Sequence, residues 1–139
     1  MNEETRTAAI VDNDYFFSEI FIPNSVEYQK QKYVITSLSK YSFYELWSPR
    51  SIQIPWYSNL RTIENKAFFR SSLEKITIPP SVSELKEGWC HGAFKLTKVI
   101  VMKNNPYFKN YENDEHLVIG KSDINDKEYD TLIFVSREI

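Results

Sequence analysis

The chain has 139 residues, 42% of them hydrophobic and 26% charged, which is long enough to bury a core without metal or disulfide support and too apolar for a disordered tail. Its formal charge of -2, with the basic residues scattered, gives no electrostatic case for a nucleic-acid partner. One cysteine excludes an intrachain disulfide framework and suits a reducing compartment, and no run approaches the roughly 18 to 20 apolar residues that a membrane-spanning helix needs.

Aromatic residues are frequent, with nine Phe, nine Tyr and three Trp, whereas Gly is scarce at three. That balance predicts large side chains to pack and few positions with a left-handed backbone. The amino terminus, MNEETRTAAIVDNDYF, has acidic residues where an export signal carries a basic region, and no Asn-x-Ser/Thr acceptor occurs. As written the chain reads as cytoplasmic, with a cell-surface or secreted location open if an export signal was omitted or is noncanonical.

Residues 1–19 are expected to form a cap or a flexible segment, because the exposed edge of a stacked structure has to be covered. The first regular element is Ile20-Phe21-Ile22-Pro23, and the same Ile-x-Ile-Pro returns at Ile52 to Pro55 and at Ile76 to Pro79. In a strand the two isoleucines point to one side and the residue between them to the other. Proline then ends the strand, since it has no amide hydrogen to donate to a ladder. Between the first two copies, EYQKQKYVIT reads as an insertion or a short extra strand, with Tyr33 to Ile35 able to pair locally.

From Leu38 the repeat runs through Ser42, Phe43, Leu46, Pro49, Ile52 and Ile54. From Leu85 the same offsets fall on Trp89, Cys90, Ala93, Leu96, Val99 and Val101. The unit between them starts at Ile63, carries Ala67 and Phe68, and reaches Leu73, Ile76 and Ile78 one residue early, as a deletion in the turn around Arg70 to Ser72 explains. Units of this length cannot bury their own apolar face, so neighbours must stack into one column. The segment 61–76 also reads as an amphipathic helix with Thr62 as its cap, and a mixed fold around that helix is the competing architecture. It leaves unexplained why the same offsets recur before and after.

Beyond Val101 the composition changes. Strands are expected at Leu117 to Ile119 and Thr131 to Val135, joined by the polar GKSDINDKEYD, as a hairpin that shields the apolar end of the stack.

Several of these pieces together resemble the BspA-type leucine-rich repeat family: IPNSV (22–26), ITSLSKYSFYE (35–45), IENKAFFRSSLEKITIPPSV (63–82) and NNPYF (104–108), with TLIFVS (131–136) similar to a closing strand. The resemblance implies one domain over 1–139, with repeats at 20–103 and a cap at 104–139. The fold is then a leucine-rich repeat solenoid of about four short repeats with parallel strands, an irregular amino-terminal part and a β-hairpin cap. The family is associated with protein recognition and, in some surface members, adhesion, and it lends no catalytic residues. Trp89-Cys90 in place of Ala-Phe, and Phe69 after Phe68, depart from its pattern.

Chemistry is sparse. His91 and Cys90 are adjacent but complete no metal-ligand spacing, and Cys90 is expected to pack inward as a small apolar group. The run Asp123 to Asp130 has Glu128 and Phe134 where a calcium loop needs Gly and Glu, so it reads as a solvated loop. Gly88, Gly92 and Gly120 cradle no phosphate, and neither cofactor nor metal is expected. Geometry points instead to a face: parallel strands would align Phe21, Gln53, Thr77 and Ile100 outside the core, with Ser51, Lys75 and Lys98 beside them, Met102 beyond, and Ile100 as an exposed apolar contact. The reading is a noncatalytic protein-recognition module, adhesion among its uses, whose partner is a protein rather than a nucleic acid and which does not insert into a membrane. A self-associating structural protein is the alternative and a small enzyme the third reading.

Overall fold

A computed structural model describes residues 19–45, 47 and 50–136. Of the amino-terminal cap or flexible segment expected over residues 1–19, residues 1–18 lie outside the described residues, as do the ladder positions Leu46 and Pro49, while Glu19 belongs to the first strand. In chain order the strands are β1 Glu19–Phe21, β2 Ser25–Tyr28, β3 Gln31–Val34, β4 Ser37–Leu38, β5 Ser51–Gln53, β6 Thr62–Ile63, β7 Lys75–Ile78, β8 Glu84–Leu85, β9 Lys98–Val101, β10 Phe108–Asn110, β11 Leu117–Gly120 and β12 Thr131–Val135.

The Ile-x-Ile strands stack in parallel in the order β1-β5-β7-β9. Ile20 pairs with Ile52, Ile52 with Ile76, Ile76 with Val99, and Ile78 with Val101. Ile22 and Ile54 follow their strands directly, and the Ile22 amide donates to the Gln53 carbonyl at 2.9 Å, which carries the register past the last paired residue. The second apolar residue of each rung, Ile22, Ile54, Ile78 and Val101, is buried. Burying one such side chain stabilises the fold by roughly 1.5–3 kcal/mol, so the column of isoleucines and valines is a principal favourable term.

The residues that open each unit form a second parallel sheet, β4-β6-β8, pairing Leu38 with Ile63 and Ile63 with Leu85. Periodicity marked these as inward positions without showing that they are themselves strands. Segment 61–76 is not a helix: it runs from β6 through a turn into β7, because neighbours on both sides supply backbone partners that an isolated helix would have to find within itself. Among the described residues the helical content is one short 3-10 turn, Tyr111–Asn113.

The scarcity of glycine misleads about the backbone. Positive φ occurs at Tyr41, Lys66 and Gly88, three residues into successive units, and again at Glu45, Arg70 and Gly92, seven residues in. These rungs are tied across units: the Tyr41 amide donates to the Lys66 carbonyl (3.1 Å) and the Lys66 amide to that of Gly88 (2.9 Å). Likewise the Arg70 amide donates to the Gly92 carbonyl (3.0 Å). Inter-unit hydrogen bonds thus hold non-glycine residues in a conformation that costs them roughly 1–2 kcal/mol each.

The insertion after Val26 is the antiparallel hairpin β2-β3, with Tyr33 opposite Val26 and buried. At the other end, β11 and β12 pair antiparallel around the polar loop, and β10, which the sequence did not announce, joins them in the order β10-β11-β12. Side chains and backbone from this region occupy the outer edge of β9. The Val99 amide donates to the Glu115 carbonyl (2.9 Å), the Val101 amide to Asn110 Oδ1 (2.9 Å), and Asn110 Nδ2 to the Val99 carbonyl (2.8 Å). An edge strand left with bare amides and carbonyls is a template for unwanted pairing, which these bonds prevent. Asn105 anchors the junction: buried, it donates to the carbonyls of Pro79 and Val82 and accepts from the amides of Tyr107 and Phe108.

Candidate functional site

Because Ile52, Ile76 and Val99 face inward, the alternate residues of β1, β5, β7 and β9 form two outward rows. Glu19, Ser51, Lys75 and Lys98 are in register in the first. In the second, Phe21 pairs with Gln53 and Thr77 with Ile100, and the same register brings Gln53 beside Thr77. Seven of the eight residues expected on a recognition face therefore share one face of one sheet. Met102 lies one residue past β9, where its amide donates to the Ile78 carbonyl (3.0 Å).

The rows are unevenly exposed. Phe21 is 55% exposed, and Gln53 and Lys98 also reach solvent, whereas Ser51, Lys75, Thr77 and Met102 are half-buried. Ile100, expected as an exposed contact, is half-buried too. It stands on the terminal rung of the sheet, whose backbone edge hydrogen-bonds to Asn110 and Glu115.

At the end where these strands begin, the first row opens into a groove of about 790 Å³. Its wall includes Ser51, Lys75 and Lys98 from the expected face, Glu19 from the same row, and three charged residues that strand alternation does not reveal: Arg50, Glu74 and Lys95. Arg50 and Glu74 occupy the position just before each strand, where the Arg50 carbonyl accepts from both Glu74 and Lys75 and the Glu74 carbonyl from both Thr97 and Lys98. Lys95 and Phe94 belong to the turn from Cys90 to Leu96, one residue longer than the turn from Phe68 to Leu73. That extra residue puts both side chains at the groove, Phe94 with 64% of its surface exposed.

A second feature appears only in three dimensions. Tyr44, Phe69 and His91 stack along the units at 6.1 and 5.9 Å between ring centroids, with interplanar angles of 4° and 11°. Lys66 Nζ lies over Phe69 at 5.5 Å, and Arg70 bridges to Glu45 at 3.4 Å. Phe69 after Phe68 is therefore the outer rung of a ladder, and a Cβ on Gly92 would collide with the Cδ2 edge of its ring.

Short parallel rungs in register, with prolines closing the strands, are the architecture of a stacked-repeat protein. A family model for the BspA type leucine-rich repeat region matches residues 10–116 in six copies. The chain belongs to that family. No curated protein matches it. Two solved structures are similar to it. One is a leucine-rich repeat protein from Eubacterium ventriosum, 17% identical with a TM-score of 0.41, covering 75% of this chain and 36% of that one. The other is the pneumococcal vaccine antigen PcpA, 15% identical with a TM-score of 0.38, covering 76% of this chain and 44% of that one. The chain thus aligns with less than half the length of either.

The reactive side chains of this BspA-type repeat region are placed for packing or local turns. Cys90 packs against the core as the inward frame requires, and burial pushes its thiol up to about 11. Trp89, at the position of Ala67, packs edge-on to Phe68 at 6.3 Å and against Phe134 at 6.3 Å, so the cap fits the exchanged order of ring and small residue. His116 Nδ1 meets Asp114 Oδ1 at 2.8 Å, and the His116 backbone amide, then its side chain, holds the Asp114 carboxyl below its usual range. In the acidic loop, hydrogen bonds from Ser122 and then Thr131 hold Asp130 low in the same way. Among the described residues no three His, Cys, Asp or Glu side chains are grouped to hold a metal ion, and no helix is long and apolar enough to cross a membrane.

Proposed function

We propose that the outward face of β1, β5, β7 and β9 is a noncatalytic protein-recognition surface, with Phe21, Gln53, Thr77 and Ile100 as its central row and Ser51, Lys75, Lys98 and Met102 at its borders. The observation that carries this reading is the register, which lines up side chains from separate units on one hydrogen-bonded sheet. Backbone order is already established there, so a partner orders few groups on binding. Membership of the BspA-type family supports recognition, and adhesion is one use of such a surface. Self-association is the competing use of the same surface.

The test compares the wild type with Thr77→Asp and Ile100→Asp. The immobilised full chain is used to capture partners from its native extract, the retained protein is purified, and its affinity is measured by calorimetry alongside the circular dichroism of each variant. Either aspartate weakens binding at least about tenfold, equivalent to about 1.4 kcal/mol. Unchanged affinity with intact dichroism overturns the assignment of the face. Mass measured over a range of concentrations separates a partner from a second copy of the chain.

A further inference from the structure

The groove at the start of the parallel strands has a charge opposite in sign to the chain that carries it. Arg50, Lys75, Lys95 and Lys98 line it against two carboxylates, Glu19 and Glu74, while the whole chain is at -2. These cations come from three successive units, so no single run of basic residues announces them.

Among the described residues, ion pairs join Arg70 to Glu45, Lys86 to Glu84 and His116 to Asp114, and none joins a groove cation to a carboxylate. Here both acids share the wall, and among the described residues neither forms an ion pair with those cations. Adjacent parallel strands are about 4.8 Å apart, so Lys75 and Lys98 act on a ligand well within one screening length, about 8 Å at physiological salt. Phe94 adds an exposed aromatic ring to the same wall.

We propose that this groove binds an acidic peptide segment, its carboxylates facing Lys75, Lys95, Lys98 and Arg50 and an apolar side chain against Phe94. The inference rests on the recognition face described above and names the chemistry of its partner. An extended segment fits because its side chains alternate, offering carboxylates to one wall and apolar groups to the other. A long polyanion fits poorly, since the surface beyond this groove belongs to a net-negative chain that repels it.

The experiment titrates the full chain into a short fluorescein-labelled peptide of alternating Glu and Tyr, read by anisotropy at low and physiological salt. Binding saturates, weakens with salt, and falls at least tenfold in Lys75→Glu/Lys98→Glu. Lys95→Glu, on an exposed turn, gives a smaller loss without risk to the strands. The same peptide with Lys for Glu does not bind, and Lys40→Glu, away from the groove, changes nothing. Absence of saturable binding, an unaltered affinity in the double variant, or preference for a sulfated oligosaccharide of equal charge overturns the proposal. If Thr77→Asp abolishes capture of the native partner while the acidic probe fails, the face stands and its charge assignment falls. If the probe binds through the groove while Thr77→Asp leaves capture intact, the groove stands and the central row falls.

Discussion

Two ladders of rings run through the same turns, one residue apart in the first two units and two apart in the third. Phe43, Phe68 and Trp89 form the inner one, with Phe43 and Phe68 stacked at 5.3 Å and all three buried. Tyr44, Phe69 and His91 form the outer one, where Tyr44 and His91 are exposed and Phe69 is half-buried. The backbone hydrogen bonds that align them are shared, so what separates the ladders is how much water each ring loses. Stacking geometry alone is a poor guide to energy. The outer rings are the more nearly parallel, yet burial makes the inner rings the larger contributors.

The direct way to break that comparison is to remove one ring from each ladder. Phe68→Ala costs about 3–5 kcal/mol, since it deletes a fully buried ring between Phe43 and Trp89 and leaves a cavity. Phe69→Ala costs about 1 kcal/mol, the scale of an aromatic pair on a partly wet surface. Urea denaturation of both variants measures the difference, and equal losses would show the outer ladder to be structural in the same sense as the inner.

Cys90 tests the inner ladder by another route. By register it takes the place of Phe68 and Phe43, and burial raises its thiol from 9.0 to about 11, a backbone hydrogen bond opposing. An acid whose folded pKa is raised favours the fold while it stays neutral. The contribution is therefore complete below pH 9 and is lost as pH climbs from 9 to 11, roughly 2–3 kcal/mol in all. Lysines and tyrosines titrate in the same range, so the informative quantity is the stability difference between wild type and Cys90→Ala across that window. A difference that does not shrink with rising pH would place the thiol in water.

How much of this was legible follows from what a side chain reports. Ile52, Ile76 and Val99 announced the parallel column because large apolar side chains recurring at a fixed spacing must share one interior to escape water, and the prolines after Ile22, Ile54 and Ile78 marked where the strands stop. The outer ladder shows in the sequence only as Phe69, a departure from the family pattern, because adjacency in sequence does not say that Tyr44 and His91 share its ladder. Half of the groove was equally hidden. Arg50 and Lys95 precede strands instead of alternating within them, and Lys95 reaches the groove through a one-residue difference in turn length. Left-handed rungs at Tyr41, Glu45, Lys66 and Arg70 were out of reach, since these residues do not signal φ as glycine does.

Those rungs supply the finest test, for Gly92 and Arg70 are paired across units at the same offset with φ of 79° and 58°. Gly92→Ala adds a methyl that meets the Phe69 ring and imposes a left-handed conformation on alanine, at a cost of about 2 kcal/mol. Arg70→Gly goes the other way. It relieves roughly 1 kcal/mol of backbone strain, while the unfolded chain gains freedom worth about 0.4–1 kcal/mol and an exposed bridge to Glu45 is lost. These contributions nearly cancel, so stability stays within about 0.5 kcal/mol of wild type in a thermal or urea melt. A large loss in Arg70→Gly would mean that the Glu45–Arg70 bridge at the border of the outer ladder, and not the backbone rung, holds neighbouring units in register there.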